Sequence, residues 1–527
     1  MTNSVDELAD AEVIFIIGSN TSSSHPLVAT RIFEAKQKGA KLMVADPRRI
    51  QMALLADLYL PQRLGSDAAL LNGIMYEILA QGWEDKEFIA AHTEGFDEFK
   101  KVVEDYPPDK VSRITGVPVE DIKKAAELYA QAERASIVYC MGITQHTSGV
   151  DNVKSLANLA LLTGNLGKPA TGVNPLRGQN NVQGACDMGG LPDVYPGYQK
   201  VDAIDVQAKF EKAWGVSLSS KPGLKIPEML EGLAHGQVKA LWVAGENPFM
   251  SDPDTNHVEK ALAMAELVVV QDIFLNETCR FAHVVLPGAS FAEKDGTFTN
   301  TERRVQRVRK AIEPVGQAKA DWQIVQEVSR RLGLEMNYAS PAQIMDEIAR
   351  LTPQYGGISY DRLEGQGLCW PCPDRDHPGT PYLHKDGNFA RGKGLFHPIA
   401  YRPPAEEVDE QYPVWLTTGR THVHYHTGTM TRNSPSLHAQ MPEGFVEINP
   451  ADAQRLGVAD GELLRIASRR GEVTAKAMIT ERVQPGMVFL PFHFIEASAN
   501  LLTNPALDPT CKIPEFKVCA VRVEKAA

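Results

Sequence analysis

The first 165 residues alternate short apolar runs with longer amphipathic stretches, and this alternation limits the possible folds more than any other feature of the chain. Apolar runs of strand length lie at 12–18, 41–45 and 135–140. Helical patterns occupy about 26–36, 67–81, 86–92, 118–133 and 149–164. Strands that alternate with helices form a mainly parallel sheet, which binds ligands at the carboxyl ends of its strands. The sequence therefore predicts an α/β fold.

A pair of strands with the same sequence pattern occurs twice in the chain. In each copy the first strand ends in Gly-x-Asn and the second in aspartate: Gly18 to Asn20 with Asp46, and Gly245 to Asn247 with Asp272. Backbone amides at such a turn can bind a phosphate, and the carboxylate can bind a base or a ribose. A single Gly-x-Asn is often an ordinary turn, but its repetition in the same order predicts two nucleotide-binding halves.

A glycine- and amide-rich segment at 172–190 separates the two halves and contains one cationic side chain, Arg177. Its five glycines and its lack of a helical or strand period predict an irregular loop that other groups hold in place. A guanidinium surrounded by amides can bind a carboxylate through paired, charge-assisted hydrogen bonds. The segment therefore predicts a binding pocket for a small anion.

The sequence changes in character after about residue 340. Clusters of Pro, Gly and Asp at 340–405 predict connecting structure. Beyond Tyr412, short strands at 446–448, 463–466, 473–477 and 487–490, with one helix at 450–456, predict a separate β-barrel. We divide the chain into a first dinucleotide-binding α/β domain (1–178), a second one with connecting segments (179–385) and a C-terminal β-barrel domain (386–527).

Composition and charge exclude several classes of function. The formal net charge of −12 argues against nucleic acid or an acidic membrane surface as a partner. No apolar run approaches the roughly 18 residues that a membrane helix needs, and the N-terminus shows no signal-peptide pattern. Seven scattered cysteines suit a reducing compartment better than a disulfide framework. These features predict a cytoplasmic protein.

Two segments resemble the catalytic subunits of molybdenum- or tungsten-dependent formate dehydrogenases, of the dimethyl-sulfoxide-reductase superfamily. The segment from Asn174 to Asn181 is similar to the substrate loop of these enzymes, and that from Glu447 to Gly461 to their C-terminal barrel. The resemblance implies two Rossmann-like, doubly wound α/β domains around a bis-pterin cofactor, followed by a β-barrel of the double-psi type. It also implies oxidation of formate to carbon dioxide, or the reverse, at a molybdenum or tungsten bis-molybdopterin guanine dinucleotide centre.

The resemblance also implies functions for individual residues. Arg177 would orient the formate carboxylate, and Gln179 would contact the cofactor. The residues implied for the first dinucleotide are Gly18, Asn20, His25, Asp46, Pro47, Arg48, Gly65, Asp67, Gly142 and Gln145. Those implied for the second are Gly245, Glu246, Asn247, Gln271, Asp272 and Asp295. The residues implied to reach the pterins from the barrel are Arg420, His424, His426, Asn500 and Lys517.

The family's metal-binding segment has no counterpart in this sequence. Formate dehydrogenases carry, before the position that matches Met1, a cysteine-ligated 4Fe-4S cluster and a cysteine or selenocysteine that binds the metal. We interpret Met1 as a start assigned after a selenocysteine codon was read as a stop; a split gene or a shortened product are the alternatives. The cluster and the metal ligand are therefore expected upstream, and the activity of this chain alone stays open.

The resemblance implies several partners for the chain. They are formate or carbon dioxide, the missing N-terminal part of the same subunit, and electron-transfer subunits of iron–sulfur, diaphorase or hydrogenase type. Two other functions fit the same sequence. A nitrate reductase of the superfamily would also need a cationic pocket, although the loop around Arg177 favours formate. A non-catalytic scaffold of the same fold would not need to keep Asp46, Arg177 and Lys517 together.

Two further features are interpreted without a catalytic function. Cys369 and Cys372 form the only close cysteine pair, and we expect packing or surface thiols there because no second pair completes a four-ligand metal site. Cys140, Cys279, Cys511 and Cys519 are predicted to lie in the core. The basic run at 303–310 is interpreted as a solvated face, with a surface for an electron-transfer partner as the alternative.

Overall fold

The computed structural model describes residues 1–526, which form two compact units. The first unit contains residues 1–178, 250–256 and the chain from Tyr382 onward. The second contains residues 179–249 and 257–381. The division of the sequence into three domains stays a prediction.

The first unit is built on a parallel sheet of five strands. In spatial order they are Leu58–Leu60, Lys41–Ala45, Val13–Ile17, Ala135–Tyr139 and Gly172–Pro175. Ile17 lies opposite both Ala45 and Tyr139, so the carboxyl ends of the three central strands meet at one edge. Two of these strands are buried along their whole length, as in parallel sheets that are covered on both faces. The predicted α/β fold is confirmed.

Helices pack on both faces of this sheet, because alternate strand residues point to opposite sides. Phe15 packs with Leu70 and Tyr129 on one face, and Ile16 packs with Ile32 on the other. The helices are Thr21–Ser24, Pro26–Gln37, Gln51–Leu54, Asp67–Gln81, Lys86–His92, Phe96–Val103, Pro108–Thr115, Val119–Ala130, Met141–Thr144 and Gly149–Leu162, with a 3-10 turn at Asp6–Asp10. The predicted helices are confirmed, with ends that differ by a few residues.

Two parts of the segment 172–190 are regular, so the prediction of an irregular loop is wrong for them. Gly172–Pro175 is the edge strand of the first sheet, and Val182–Asp187 is a short helix of the second unit. The strand needs no apolar pattern because its pairing uses backbone groups, and the Asn174 amide donates to Ser136 Oγ at 2.9 Å. The helix is held by the buried Asp187 carboxylate, which accepts hydrogen bonds from the Tyr355 hydroxyl at 2.6 Å and the Trp370 indole at 2.7 Å.

The second unit contains a parallel sheet of three strands, Val284–Pro287, Leu267–Asp272 and Ala240–Ala244, with Leu267–Asp272 in the centre. Further strands are Gly296–Thr299, Arg304–Val308 and Leu368–Cys369, and the pair Val194–Tyr195 and Gln199–Lys200. Its helices and 3-10 turns are Ile204–Trp214, Ile226–Ala234, Glu277–Phe281, Phe291–Glu293, Asp321–Arg331, Pro341–Leu351, Pro353–Tyr355 and Tyr360–Leu363. Helices Pro248–Ser251 and Thr255–Met264 run across unit boundaries. Because Pro341–Leu351 is helical, the segment 340–405 is not wholly irregular.

The predicted repeat is present as two parallel strand pairs with the same turn. The Gly18 N–H donates to the Ala45 carbonyl at 3.1 Å, and the Gly245 N–H donates to the Gln271 carbonyl at 2.8 Å. Both glycines have positive φ, +58° and +65° respectively. Since Asp46 and Asp272 directly follow the two acceptor residues, each copy places a glycine turn beside an aspartate.

The C-terminal region of the first unit forms a closed barrel, which confirms that prediction. Around the barrel the strands are Val414–Gly419, Met487–Pro491, Phe445–Ile448, Glu472–Ile479, Leu463–Ala467 and Cys519–Lys525. The helices Pro435–His438 and Pro450–Leu456 and the turns Ile495–Ala497 and Ala499–Leu501 accompany it. Before the barrel, Lys385–Gly387 is a 3-10 turn and Gly394–Leu395 pairs with Thr93–Glu94. Alternate apolar residues such as Leu416, Val446 and Leu464 fill the interior.

The basic run at 303–310 is largely neutralised by its own neighbours. Arg303 is buried, and its guanidinium donates to the carbonyls of Trp370, Thr380 and Pro381. Arg307 and Arg309 both pair with Glu364, at 2.7 and 2.8 Å. The interpretation as a solvated face is therefore wrong for Arg303 and fits Arg309.

The structure also bears on the predicted burial of the cysteines and on the search for membrane helices. Cys519 is buried as predicted, whereas Cys511 is exposed and Cys140 and Cys279 are only partly buried, so the core prediction is wrong for Cys511. All seven cysteines are free thiols. No helix within residues 1–526 combines the length and the apolar character needed to cross a lipid bilayer.

Candidate functional site

A cavity that is partly open to solvent lies in the first unit at the carboxyl ends of its sheet strands. It is lined by these predicted residues: Gly18, Asn20, Asp46, Pro47, Arg48, Gly65, Asp67, Gly142, Arg420 and Lys517. Residues separated by up to 499 positions in sequence thus meet in one place. The cavity is the candidate functional site.

Two glycines make one wall of the cavity possible. The Gly142 N–H donates to the Gly18 carbonyl at 3.0 Å, which joins the turns after the strands Val13–Ile17 and Ala135–Tyr139. A Cβ on Gly18 would lie 2.7 Å from the carbonyl carbon of Gly142, and a Cβ on Gly142 would lie 2.5 Å from Gly18 Cα. Any side chain at either position would therefore separate the two turns.

Buried charges of both signs surround the cavity. Burial, together with the neighbouring Arg420 cation, lowers the pKa of the Lys517 amine to about 7. Burial also raises the pKa of the Asp46 carboxyl to about 6, although the Arg48 N–H, which donates to Asp46 Oδ1 at 2.9 Å, opposes this shift. The pKa of the buried Asp67 carboxyl is likewise raised by its loss of contact with water. The walls of the cavity therefore contain cations that can bind phosphates and carboxylates that can bind a nucleotide base.

Several polar atoms of the cavity walls are buried without a hydrogen-bond partner among residues 1–526. They are Asn20 Oδ1, Gln62 Oε1, His146 Nδ1, and Nε and Nη2 of Arg420. Buried polar groups are nearly always hydrogen-bonded, because an unpaired one costs about 1–3 kcal/mol. Two of the five atoms are guanidinium nitrogens, which need an acceptor, and two are amide oxygens, which need a donor. An anionic ligand that also carries N–H or O–H groups would supply both.

Gln62 and His146 are site residues that the sequence-based prediction missed. The Gln62 amide donates to Asp67 Oδ1 at 3.0 Å, and His146 Nε2 lies 2.8 Å from the Gly142 carbonyl and 3.9 Å from Asp67 Oδ2. All three side chains are buried. Gln62 follows the strand Leu58–Leu60 by two residues. A strand of three residues is too short to show a sequence period, so the sequence gives little indication of a site residue there.

Arg177 lies directly after the edge strand Gly172–Pro175 and is exposed. Its carbonyl lies 2.7 Å from His25 Nε2, and its positive charge acts on Tyr139 and Cys140 at the end of the neighbouring strand. Burial lowers the pKa of the His25 imidazole. Neither Arg177 nor His25 lines the cavity. Their place at the same sheet edge is compatible with a substrate-binding function, which stays a prediction.

The remaining predicted residues of the first unit are occupied by contacts within it. His424 has Nδ1 at 3.1 Å from Thr431 Oγ1 and Nε2 at 2.7 Å from the Met441 carbonyl. The Asn500 amide donates to the Met250 carbonyl at 2.7 Å. The His426 carbonyl accepts from His493 Nδ1, and the Gln145 carbonyl accepts from the Lys517 N–H at 3.4 Å. These contacts stabilise the chain near the cavity; a direct function in cofactor binding stays a prediction.

The predicted residues of the second unit form a separate cluster around the turns of its parallel sheet. The Asn247 amide donates to Glu277 Oε2 at 2.7 Å, and Asn247 Oδ1 accepts from the Thr278 hydroxyl at 2.8 Å. Asp272 accepts from the Ile273 N–H and the Asn276 amide, and burial raises its pKa. The Gln271 amide donates to Asp321, whereas Gln271 Oε1 is buried without a partner within residues 1–526.

Glu246 also belongs to this cluster. Glu246 Oε1 accepts from the Asn247 N–H at 2.9 Å, and the Glu246 carbonyl accepts from the Asn276 amide at 3.2 Å. Asp295 lies just before the strand Gly296–Thr299 and accepts from the Lys310 N–H at 3.3 Å, and the Gln179 carbonyl accepts from the Val182 N–H at 3.4 Å. Cys369 and Cys372 are buried, as the packing interpretation expects. Residues 1–526 contain no group of three or more His, Cys, Asp or Glu side chains placed to hold a metal ion.

Comparisons with known proteins cover the whole chain. The molybdopterin oxidoreductase family matches residues 1–331, and the molydopterin dinucleotide binding domain matches residues 414–520. The F420-dependent formate dehydrogenase subunit alpha of Methanocaldococcus jannaschii is 53% identical over 528 residues, which cover 100% of this chain and 78% of that protein. Formate dehydrogenase H of Escherichia coli is 43% identical over 534 residues, with coverage of 100% and 74%. The acetylene hydratase from Pelobacter acetylenicus shares the fold, with a TM-score of 0.75, 21% identity, and coverage of 100% and 81%.

Proposed function

The chain belongs to the molybdopterin oxidoreductase family, and on that premise we propose that it is the catalytic part of a formate dehydrogenase. It would oxidise formate to carbon dioxide, or catalyse the reverse reaction, at a molybdenum or tungsten bis-molybdopterin guanine dinucleotide centre. Relatives that are named formate dehydrogenases match the chain from end to end at 43–53% identity.

The observation that carries the proposal is the set of unpartnered polar atoms in the cavity walls. A pyranopterin guanine dinucleotide offers phosphate oxygens to Arg420 and Lys517 and guanine N–H groups to carboxylates such as Asp46. The backbone of Gly18 and Gly142 leaves room for a ligand to approach the strand ends closely. The residues present therefore fit the cofactor, which would be held in the first unit by these side chains.

The chain's own contribution to the reaction is positioning and charge. When bound, the metal centre accepts the two electrons that formate releases as its C–H bond breaks to give carbon dioxide and a proton. Arg177 would hold the formate carboxylate through its planar guanidinium and so fix the direction of the C–H bond. The contact between its carbonyl and His25 Nε2 restrains the backbone from which that guanidinium extends.

Electron-transfer partners belong to the same proposal. Two electrons per formate must leave the chain, so a redox subunit of iron–sulfur, diaphorase or hydrogenase type is required. The M. jannaschii relative is named an F420-dependent enzyme, and we propose an F420-reducing partner as one candidate. The cytoplasmic location that the sequence predicts, the upstream 4Fe-4S cluster and the upstream metal ligand stay predictions.

The test is an assay of the purified, cofactor-loaded protein with formate and with nitrate. We expect molybdenum or tungsten and guanosine monophosphate on hydrolysis of the protein, and formate-dependent reduction of a viologen dye. Nitrate reduction without formate oxidation would favour the nitrate reductase. The absence of both metal and guanine nucleotide from a mature preparation would favour the scaffold. Assays with and without the N-terminal segment that the resemblance implies address the activity of this chain alone.

A further inference from the structure

The barrel holds the loop that follows the strand Lys41–Ala45. The Arg49 N–H donates to the Arg482 carbonyl at 2.7 Å, and the Gln484 amide donates to the Pro47 carbonyl at 3.0 Å. Within this loop, Asp46, Pro47 and Arg48 line the cavity. Barrel residues far away in sequence therefore fix one wall of the site.

Two barrel residues contact the Arg48 guanidinium: Glu447 along one edge and Phe489 on one face. Glu447 Oε2 accepts from Arg48 Nη2 at 2.7 Å and from Nε at 3.1 Å. The guanidinium carbon lies 3.4 Å from the centre of the Phe489 ring, a close cation–π contact. Glu447 and Phe489 face each other on neighbouring antiparallel strands, and both are buried. The Phe489 ring can occupy this position because residue 419 is glycine. A Cβ added at Gly419 would lie 2.7 Å from Phe489 Cε2.

The hydrogen bonds with Glu447 do not involve the Nη1 group of Arg48. Glu447 accepts from Nε and Nη2 of Arg48, whereas Nη1 takes part in neither of these hydrogen bonds. A planar guanidinium fixed on one edge and one face has little rotational freedom, so its remaining N–H groups are preorganised for a ligand. Glu447 also supplies the counter-charge that a largely buried arginine needs.

We propose that Glu447 and Phe489 are positioning residues, which set Arg48 for contact with the guanine nucleotide arm of the cofactor. The inference rests on the proposed function, because it assumes that a guanine nucleotide enters the cavity. It goes further by assigning the orientation of Arg48 to two barrel residues that need not touch the ligand. Without the carboxylate, the guanidinium would lose its fixed orientation even though its charge remains.

The probe is guanosine diphosphate, added to the full chain purified from cells that make no molybdopterin. We expect Glu447→Gln, which keeps the side-chain volume and removes the charge, to weaken binding at least about tenfold in calorimetric titration. The protein loaded in cells that make the cofactor should also release less guanosine monophosphate per chain. The matched control is Glu406→Gln, which breaks another buried Glu–Arg pair of the same unit, with Arg470 at 2.8 Å, away from the cavity. It should lower Tm without weakening binding.

A double-mutant cycle separates positioning from a general structural effect. If Glu447 acts through Arg48, then Glu447→Gln combined with Arg48→Lys should bind guanosine diphosphate no more weakly than Arg48→Lys alone. Unchanged or tighter binding by Glu447→Gln, in a wild-type chain that does bind, would overturn the inference. Additive losses in the cycle would overturn it too. No binding of guanosine diphosphate by the wild-type chain would instead contradict the proposed function.

Discussion

At the scale of single residues, the cavity shows how a few side chains acquire unusual chemistry from their surroundings. Arg420 keeps two buried nitrogen atoms without a partner within residues 1–526, and the buried Lys517 amine donates to the Thr418 carbonyl at 2.8 Å. Each cation is destabilised by burial, and an anion would relieve that cost. The predictions at this scale concern Arg177, which would bind substrate, and Lys517, which would bind cofactor.

Arg177→Lys tests whether the geometry of the cation matters as well as its charge. Lysine keeps the positive charge but cannot form two parallel hydrogen bonds to a carboxylate. We expect kcat/KM for formate to fall by about a hundredfold, because a misplaced C–H bond reacts slowly. The guanosine monophosphate content should match that of the wild type. Unchanged formate kinetics would contradict the assignment of Arg177.

The lowered pKa of Lys517 predicts how nucleotide binding depends on pH. The amine is charged below pH 7 and neutral above it, so the affinity for guanosine diphosphate should fall as the pH rises from 6 to 8. Lys517→Met should bind more weakly at pH 6 and lose most of this dependence. Equal pH profiles for the two proteins in calorimetric titrations would contradict the prediction.

The same group gives a stability signature in the cofactor-free protein. Between pH 7 and 10.5 the unfolded chain binds a proton at Lys517 that the folded chain does not, so stability should rise with pH across this window. Lys517→Met should lack that rise and should have the higher Tm at pH 7. A wild-type Tm that falls between pH 7 and 9 more steeply than that of the variant would contradict this expectation.

At the scale of elements, the sequence predicts the helices and strands whose ends and periods are determined by neighbouring residues. The helix Asp67–Gln81 is predicted with correct ends because Gly82, at φ +69°, terminates it. The strand Gly172–Pro175 is missed because its partners lie more than 30 residues away and its own residues show no period. Gln62 and His146 are missed for a related reason, since only folding places them beside Asp67. Glycine turns, in contrast, can be read directly from the repeat.

Gly18→Ala tests the contact between the two strand-end turns. The new Cβ would clash with the backbone of Gly142 at 2.7 Å, and the positive φ adds strain, for a total cost of about 2–4 kcal/mol. The matched control is Gly82→Ala, which has a similar φ but no atom within 4 Å of the new Cβ, and should cost about 1 kcal/mol. Tm and guanosine diphosphate affinity are the measurements. Equal effects of the two substitutions would show that the close approach is unimportant.

At the scale of the whole molecule, the chain contains one turn geometry in two places. Gly18 with Asp46 belongs to the first unit, and Gly245 with Asp272 to the second. The two aspartates share a raised pKa for the same reason, burial beside a strand end. Both carboxylates accept hydrogen bonds, Asp46 from the Arg48 N–H and Asp272 from the Ile273 N–H and the Asn276 amide, but of the two only Asp46 lines the cavity described above. The repeat therefore predicts two nucleotide sites of unequal affinity.

Paired substitutions of the two aspartates test this prediction. Calorimetric titration of the cofactor-free chain with guanosine diphosphate should give two sites per chain, the tighter one in the first unit. Asp46→Asn should remove the tighter site and Asp272→Asn the weaker one, because a carboxylate accepts the guanine N–H groups that an amide only partly satisfies. Asp105→Asn, at an exposed position outside the cavity, is the control and should keep both. A single site in the wild type, or loss of the same site in both variants, would show that the second turn is structural and that the repeat does not extend to function.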